Sequence, residues 1–432
     1  MKIITEQLKT EIIAGVTTFM TMSYILFVNS AILFDCGMDR HAVMMATALS
    51  SGLACILMGL YAKHPFALAP GMGLNAYFAY SVCIGMKLPW EVALGAVFLD
   101  GALFFILSVL PVRQEIVKGI PLNLKYAVSA GIGLFIALIG LQHAGIVVAS
   151  KDTMITFGDI KLGSVMLATL GILLAGFLIA KKVKGALLWT ILILTFIGIF
   201  IKLPDGSKLT KLPEKFLAFP SLEVFSYTLF KLKILEAIKL GLIAVIFTFT
   251  FVDMFDTLGT IVGLAAKLGI IQKDGSFPRV GRVLICDSIA TMLGAIFGTS
   301  TVTTYIESAA GISEGGKTGV TAVTVGILFL LSLFFWPLAS AIPKEATAPA
   351  LVIVGLMMLE PVLKINFEDI TEVLPAFLTM IIMPFTYSIA NGLIFGILSY
   401  TLLKIFSGKF KEISPTMWIL SSIFIVYLLI GK

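Results

Sequence analysis

The sequence predicts an all-α polytopic membrane protein with about fourteen transmembrane segments in a 7+7 inverted repeat. Three observations predict this fold: an apolar composition with few charges, a succession of runs long enough to cross a bilayer, and matching motifs in the two halves of the chain. Two of the predicted segments are interrupted by short extended stretches.

Composition indicates that lipid surrounds most of the chain. Hydrophobic residues make up 59% of the 432 residues and charged residues 13%, against about a quarter charged residues in soluble globular proteins. The net charge of +6 does not indicate a nucleic-acid partner, because the Lys and Arg residues lie between apolar runs and not on one basic face. The partner that composition predicts is the lipid bilayer.

The apolar runs give the positions of the predicted spans. A span needs about 20 predominantly apolar residues, and a polar connection at 203–234 separates two sets of seven. The run 415–431 is either a fifteenth crossing or a helix at the interface. The predicted spans are 12–34, 42–60, 70–85, 91–110, 122–143, 163–181, 186–202, 235–263, 281–298, 299–313, 317–337, 346–363, 369–387 and 390–407.

The basic residues of the short loops predict the orientation, because cytoplasmic loops carry an excess of Lys and Arg. With a cytoplasmic N-terminus, more basic residues fall in inside loops than in short outside loops. The inside loops hold Lys63, Arg113, Lys118, Lys181, Lys182, Lys184, Lys267, Lys273, Arg279, Arg282 and Lys317, and the outside loops hold Arg40, Lys87, Lys151, Lys161 and Lys344. We therefore expect a multi-pass protein of the cell membrane with its N-terminus in the cytoplasm.

Short motifs recur in order in the two halves. Ile-Pro precedes an apolar helix at 120–121 and at 342–343, Asp-Ile opens a span at 159–160 and at 369–370, and a Gly-led apolar run begins at 185 and at 392. Seven spans per half is an odd number, so the halves must enter the membrane in opposite directions. Inverted repeats are a recurrent plan of secondary transporters, with the binding site where the halves meet.

Two spans at corresponding positions contain helix-weakening stretches. The first, at 68–75 (LAPGMGLN), has a proline and two glycines, and the second, at 298–307 (GTSTVTTYIE), has a run of β-branched residues. Each predicts a short extended piece followed by a half-helix. Open backbone at membrane depth is tolerated only inside protein or beside a cavity, so these segments are the predicted binding site.

Polar residues in these two segments have alternative interpretations. Glu307 lies three residues after Thr304, which also fits a capping box at a helix start. Asn75 could instead make a hydrogen bond that packs two helices.

The run 251–260 (FVDMFDTLGT) carries two acids inside an apolar span. Asp253 and Asp256 lie three residues apart on one helix, with Thr257 one residue further on. A charge at the centre of a membrane helix costs about 2.5–3.5 kcal/mol on insertion scales, which predicts a functional role. The alternative is that one aspartate caps a helix or pairs with a lysine near a membrane end.

The remaining polar residues in apolar runs give no sharper prediction. Asp287 is expected to support a cavity and Asp100 to be a buried hydrogen-bonded acid. The histidines His41, His64 and His143 fall at span ends or loops, where solvated side chains are expected, and their spacing predicts no metal site.

Four motifs together resemble a known family, the AzgA-like purine permeases of the nucleobase–ascorbate transporter group (nucleobase:cation symporter superfamily). They are 17–25 (TTFMTMSYI), 69–78 (APGMGLNAYF), 251–260 and 298–311, and the likeness extends from Glu11 to about Lys411. The resemblance implies proton-coupled import of adenine, guanine or hypoxanthine, with no cofactor besides the proton. An acid at Asp100 departs from the family pattern.

The resemblance also implies a division into core and gate domains and a possible homodimer through the gate. The core would comprise 1–111 and 235–341, the gate 112–202 and 342–432, and 203–234 would be an extracytoplasmic connection. The family's binding positions fall on Asn75, Asp253 and Glu307, and an acid tied to transport falls on Asp256. The predicted substrate site is Gly73, Asn75, Asp253, Thr257, Thr304 and Glu307.

Chemistry favours this reading over its rivals. Purines are rich in N–H donors, which carboxylates accept well, whereas an anion transporter of the same fold would have no use for acids in its site. An enzyme would need a nucleophile–base or metal constellation, and the sequence offers neither. A uracil or xanthine transporter and a passive channel remain open. Because like charges one turn apart disfavour joint ionisation, we expect Asp256 to carry the proton and Asp253 to hold the base.

Overall fold

The computed structural model describes residues 2–110, 119–204, 206–272 and 277–430. The predicted orientation charges Arg113, Lys118 and Lys273, and the predicted boundary between residues 111 and 112, lie outside these ranges.

The described chain is mainly helical, with four short strands. Its first half contains α1 (Lys2–Met22), α2 (Ile25–Asp35), α3 (Arg40–Leu57, continued by a π-helix to Ala62), β1 (Leu68–Pro70), α4 (Met72–Ala76, continued by a π-helix to Gly85), α5 (Trp90–Val109), α6 (Leu122–His143), β2 (Val147–Ser150), β3 (Met154–Phe157), α7 (Gly163–Ala180) and α8 (Ala186–Gly198).

The second half follows the same order. It contains the short α9 (Leu222–Phe225) and α10 (Ile234–Lys239), then α11 (Ile243–Leu268), α12 (Val280–Phe297), β4 (Val302–Thr304), α13 (Ser308–Ser313), α14 (Gly319–Ser332, continued by a 3-10 helix to Ser340), α15 (Lys344–Met357), α16 (Ile370–Thr386), α17 (Ile389–Phe406) and α18 (Pro415–Ile430).

Helix length and apolarity confirm the polytopic fold. Within the described ranges, ten helices are long and apolar enough to cross a membrane, and three shorter apolar helices accompany them. The two predicted interruptions are also present, because β1 and β4 each precede a short helix. The predicted span 235–263 begins later, at Ile243, since a separate turn of helix and the positive-φ Gly241 come before it.

Packing between the halves follows the inverted repeat. Helix α3 crosses α14 where Gly52 meets Gly326, and α6 crosses α15 where Gly133 meets Gly355. In each pair a Cβ on either glycine would come within about 3 Å of the other's carbonyl oxygen, a separation that real Cβ atoms rarely tolerate, so only glycine permits these close crossings.

The helices form two packed groups. Helices α1–α5 and α11–α14 pack mainly with one another, and α6–α8 and α15–α17 pack mainly with one another. We call the first the core group and the second the gate group, after the predicted domains; the division into domains itself stays a prediction. We call the end that carries Lys63, Lys184 and Lys317 the basic end, and the other the opposite end.

Helix α18 occupies most of the run 415–431, for which the sequence predicts either a crossing or a helix at the interface. It begins beside the basic end, where the Ser414 hydroxyl donates to the Gly119 carbonyl. Thr401 of α17 and Ser421 share a hydrogen bond midway, and Tyr427 lines a cavity with Tyr77 of the opposite end. The helix therefore lies lengthwise along α17.

Candidate functional site

The two interruptions meet as a pair of antiparallel strands inside the core. Leu68 pairs with Thr304, Ala69 with Thr303, and Pro70 with Val302. Three further hydrogen bonds lock the crossing: Tyr305 N–H to the Ala67 carbonyl (2.9 Å), Gly71 N–H to the Thr301 carbonyl (2.9 Å), and the Tyr305 hydroxyl to the Pro70 carbonyl (2.5 Å). Backbone N–H and C=O groups of the extended segments are thus hydrogen-bonded to the partner segment, which is necessary for polar backbone inside a membrane.

Glu307 stands at the start of α13, on the side of the crossing toward the basic end. Tyr24, at the break between α1 and α2, donates a hydrogen bond of 2.8 Å to Glu307 Oε1. No side-chain cap occurs at this helix start, and the Thr304 hydroxyl donates to Asp287 instead. The capping-box alternative is therefore wrong, and the role of Glu307 as a ligand stays a prediction.

The two aspartates of α11 face different surroundings. Asp256 is partly exposed, lies near enough to Glu307 to interact electrostatically, and has Oδ2 3.8 Å from where a Cβ on Gly71 would be. Asp253 is fully buried and accepts a 3.2 Å hydrogen bond from Thr291 of α12. Asp256 is therefore the aspartate near Glu307 and Gly71, and Asp253 is the more deeply buried of the two.

Asp287 of α12 organises three hydroxyls at this level. Its Oδ2 accepts from Thr257 (2.6 Å), its Oδ1 accepts from Thr304 (2.7 Å), and Thr303 shares a 2.7 Å hydrogen bond with Thr257. All four residues are buried. Two residues of the predicted site, Thr257 and Thr304, are thus held by an acid to which the sequence assigned only a supporting role.

Asn75 and Gly73 line the start of α4. The Asn75 Oδ1 atom accepts a short hydrogen bond from Ser300, and its Nδ2 atom is buried with no hydrogen-bond partner. Asn75 thus joins the two interrupted segments and keeps one donor unused. Gly73 faces another helix, because a Cβ there would lie 2.4 Å from the side chain of Ile132 in α6. Its lack of a side chain allows α4 to approach the gate helices.

A cavity of about 380 Å³ leads to Glu307 from the basic end. It runs between the two helix groups, with Thr21 and Ile306 on one wall and Gly185, Leu187 and Met357 on the other. Its mouth carries Lys182 and Lys184, and Lys184 forms a 2.8 Å ion pair with Glu314.

Polar contacts join the two helix groups at the opposite end. Three atoms form a triangle with sides of 2.8 Å: Asp35 Oδ2, the Tyr80 hydroxyl oxygen and His143 Nε2. The Ser81 hydroxyl donates to the Tyr387 carbonyl at 2.6 Å. The expectation of solvated histidines is wrong for His143, which is buried here, and for buried His64, whose ring stacks on Phe66.

Sequence reasoning missed Tyr24 and the Asp35–Tyr80–His143 contact. Tyr24 lies in the motif at 17–25. Its polar hydroxyl, next to a serine inside an apolar span, was the signal that could have marked it as a functional residue. The three-residue contact leaves no such signal, because its members come from three separate spans. Within the described ranges, no group of three or more His, Cys, Asp or Glu side chains is arranged to hold a metal ion.

Comparison with known proteins identifies the family. A model described as "Permease family" matches residues 9–395. A putative permease of Methanocaldococcus jannaschii is 50% identical, covering 96% of this chain and 94% of its own. The guanine/hypoxanthine permease PbuG of Bacillus subtilis is 42% identical (98% and 97% covered), and the adenine permease AdeP of Escherichia coli is 40% identical (97% and 92% covered).

Solved structures agree on the fold. The transmembrane domain of the cyanobacterial bicarbonate transporter BicA matches with a TM-score of 0.66 and 15% identity, covering 89% of this chain and 97% of that one. At this identity the likeness concerns the fold alone, which is the 7+7 inverted repeat. The family match and the full-length relatives together show that the chain is a transporter and not an enzyme, and that it belongs to the permease family of nucleobase–ascorbate transporters, as an AzgA-like purine permease.

Proposed function

We propose that this protein imports purine nucleobases (adenine, guanine or hypoxanthine) across the cytoplasmic membrane by proton symport, with an elevator-like movement of the core against the gate. The observation that carries the proposal is the pair of acids, Asp256 and Glu307, that lie near one another beside the crossed strands. The names of the relatives, adenine permease and guanine/hypoxanthine permease, support the substrate class.

The base would lie between these acids and the start of α4. Carboxylates accept hydrogen bonds from the N–H groups of a neutral purine, and the two oxygens of each carboxylate fit paired donors. The unused Nδ2 donor of Asn75 suits a ring nitrogen or a carbonyl oxygen. The same acids disfavour an anionic substrate by charge repulsion, although the fold is shared with a bicarbonate transporter.

We propose the reverse of the roles that the sequence predicts for the two aspartates of α11. The sequence predicts Asp253 as the ligand and Asp256 as the proton carrier, and neither assignment has been tested. The partial exposure of Asp256 and its nearness to Glu307 and Gly71 favour Asp256 as the ligand. The full burial of Asp253 favours a role in charge compensation. Thr257 and Thr304, tied to Asp287, would fix the shape of the site.

The two ends of the molecule differ, because the cavity opens at the basic end and polar contacts join the helix groups at the opposite end. The cavity to Glu307 opens at the basic end, which we propose is cytoplasmic, so this conformation corresponds to release into the cell. Uptake would require the contacts of Asp35, Tyr80 and Ser81 with the gate group to break and the ion pair of Lys184 with Glu314 to rearrange. Movement of the core as a body would achieve both changes. We also propose a homodimer through the gate helices.

Uptake into proteoliposomes tests the proposal. Labelled adenine, guanine, hypoxanthine, xanthine, uracil and bicarbonate would be supplied with a pH gradient, with a Na⁺ gradient, and with neither. We expect concentrative purine uptake with an acidic exterior alone. Accumulation driven by the Na⁺ gradient would show that Na⁺ and not the proton is the coupling ion. A preference for uracil, xanthine or bicarbonate would show that the substrate is not a purine such as adenine, guanine or hypoxanthine. Equilibration without concentration under every gradient would indicate a channel.

A further inference from the structure

Two buried carboxylates near the candidate site each leave one oxygen unused. Asp100 of α5 and Asp253 of α11 are both fully buried. Asp100 Oδ2 lies 3.5 Å from the Thr301 hydroxyl and Asp253 Oδ2 lies 3.2 Å from the Thr291 hydroxyl. The Oδ1 atom of each has no hydrogen-bond partner among the described residues. A buried carboxylate oxygen without a hydrogen-bond partner is costly when it is ionised, which favours a protonated carboxyl group in this place.

The two carboxylates occupy one small region between three helices. Thr250, one turn before Asp253 on α11, contacts Asp100. Thr291, the hydrogen-bond donor to Asp253, has its methyl group 3.0 Å from where a Cβ on Gly101, the neighbour of Asp100, would be. The two acids also interact electrostatically. The two acids therefore lie in the same region, between α5, α11 and α12.

Among the described residues, no basic side chain forms an ion pair with an acid of this region. The titratable groups that face it are Asp287 of α12 and Asp256 of α11, which are also acids. None of the ion pairs formed within the described chain includes Asp100, Asp253, Asp256 or Asp287. Two full negative charges this close in a buried place would be strongly unfavourable, and such pairs keep one proton between them.

We propose that Asp100 and Asp253 form a proton site in which the two carboxylates share one proton through their Oδ1 oxygens. A hard metal cation such as Na⁺ would require several oxygen ligands. Among the described residues, the only buried carboxylate oxygens without a partner are these two, and two carboxylate oxygens are enough to hold a proton. On loading, one O–H bond forms on one carboxyl group while the other stays ionised. On release that O–H bond breaks, and the same proton leaves.

The proton site is linked to the crossed strands. Thr301 reaches Asp100 through its hydroxyl, and its carbonyl oxygen accepts from Gly71 N–H. The single hydroxyl hydrogen of Thr291 lies within reach of two acceptors, Asp253 Oδ2 at 3.2 Å and the Val302 carbonyl at 3.1 Å. Hydrogen bonds to an ionised acceptor are stronger than those to a neutral one, so proton loading alters the restraints on both interrupted segments. This inference rests on the proposed purine symport and names its coupling site.

Infrared spectroscopy tests the shared proton without any transport measurement. Purified protein in lipid would be titrated while the carboxylic C=O stretch is recorded for the full chain and for Asp100→Asn, Asp253→Asn and the exposed-loop control Asp159→Asn. We expect one protonated-carboxyl band that changes in both buried variants and is unchanged in the control. A band that changes in neither or in only one buried variant would overturn the shared site, even if purine transport were confirmed.

Transport then tests coupling. With a one-unit pH gradient, symport of one proton accumulates purine about tenfold, and we expect Asp100→Asn to bind purine and exchange it across the membrane without accumulation. Retained accumulation in Asp100→Asn overturns the coupling role. If the unsubstituted protein takes up no purine, the proposed function fails, whereas the infrared result still decides whether the proton is shared.

Discussion

Tyr24 and Glu307 lie in opposite halves of the chain and are joined by a hydrogen bond of 2.8 Å. Tyr24 occurs where α1 gives way to α2, and Glu307 where the second interrupted segment turns helical. The tyrosine hydroxyl therefore fixes one oxygen of the carboxylate. This contact connects the bend in the first span to the geometry of the candidate site.

Tyr24→Phe should weaken purine binding about 10- to 100-fold, because a hydrogen bond to a charged group contributes about 1.5–3 kcal/mol. The change removes only the hydroxyl, so the fold should persist. Calorimetric titration with hypoxanthine or adenine measures the affinity. Tyr61→Phe, at an exposed tyrosine near Arg282, is the matched control. Unchanged affinity in Tyr24→Phe would show that this hydroxyl does not position Glu307.

The two aspartates of α11 can be separated by parallel substitutions. Asp256→Asn should lose most purine binding, because it removes a charged acceptor near Glu307. Asp253→Asn should bind purine and fail to accumulate it under a pH gradient. Equilibrium binding and gradient-driven uptake would be measured on both variants. The reverse pattern would restore the assignment made from the sequence, with Asp253 as ligand and Asp256 as proton carrier.

The fold was accessible from sequence because the bilayer imposes a simple length rule on apolar segments. The acids of the site were accessible because a charge in an apolar span is conspicuous. The directions in which Asp253 and Asp256 face could not be predicted from the sequence. Residues three apart lie on neighbouring faces of a helix, and the rotation of the helix depends on tertiary packing. The anchoring of Thr257 and Thr304 by Asp287 likewise depends on contacts between separate helices.

The contact of His143 with Asp35 and Tyr80 should hold the opposite end closed. His143→Ala removes the member of this contact that belongs to α6, together with its hydrogen bonds to Asp35 and Tyr80, and the loss of these bonds favours separation of the groups. Spin labels at Lys87→Cys and Lys161→Cys, in a background without native cysteines, report the distance between core and gate at this end. We expect a second distance population in His143→Ala.

His41→Ala is the control for this experiment. His41 packs edge-on against Trp336 at 5.2 Å, and both residues belong to the core group. Its removal should leave the distance distribution unchanged. A single unchanged distribution in His143→Ala would mean that the contact does not hold the closed state.

A charge cluster at the basic end should make stability of the gate group depend on pH. The buried Lys404 ammonium contacts Asp369, Glu372 and Glu412, and Lys409 lies 2.7 Å from Asp369. The hydrogen bond from Lys409, with those from Thr371, holds the pKa of the Asp369 carboxyl well below its usual range. Asp369 precedes α16 and accepts from its first turn, so the cluster caps this helix as well.

The sign of the effect follows from the lowered pKa of Asp369. Its stabilising contribution is complete above the unfolded-state pKa, about 3.9, and is lost as pH falls through the lower folded-state pKa. Thermal unfolding of detergent-solubilised protein between pH 7 and pH 3 should therefore show a melting temperature that drops below about pH 4. Lys409→Met should flatten that drop, since it removes the main cause of the lowered pKa, whereas Lys411→Met, at an exposed lysine on the same turn, should keep it. An acid-induced drop of equal size in Lys409→Met would mean that stability at this end is set by other carboxylates.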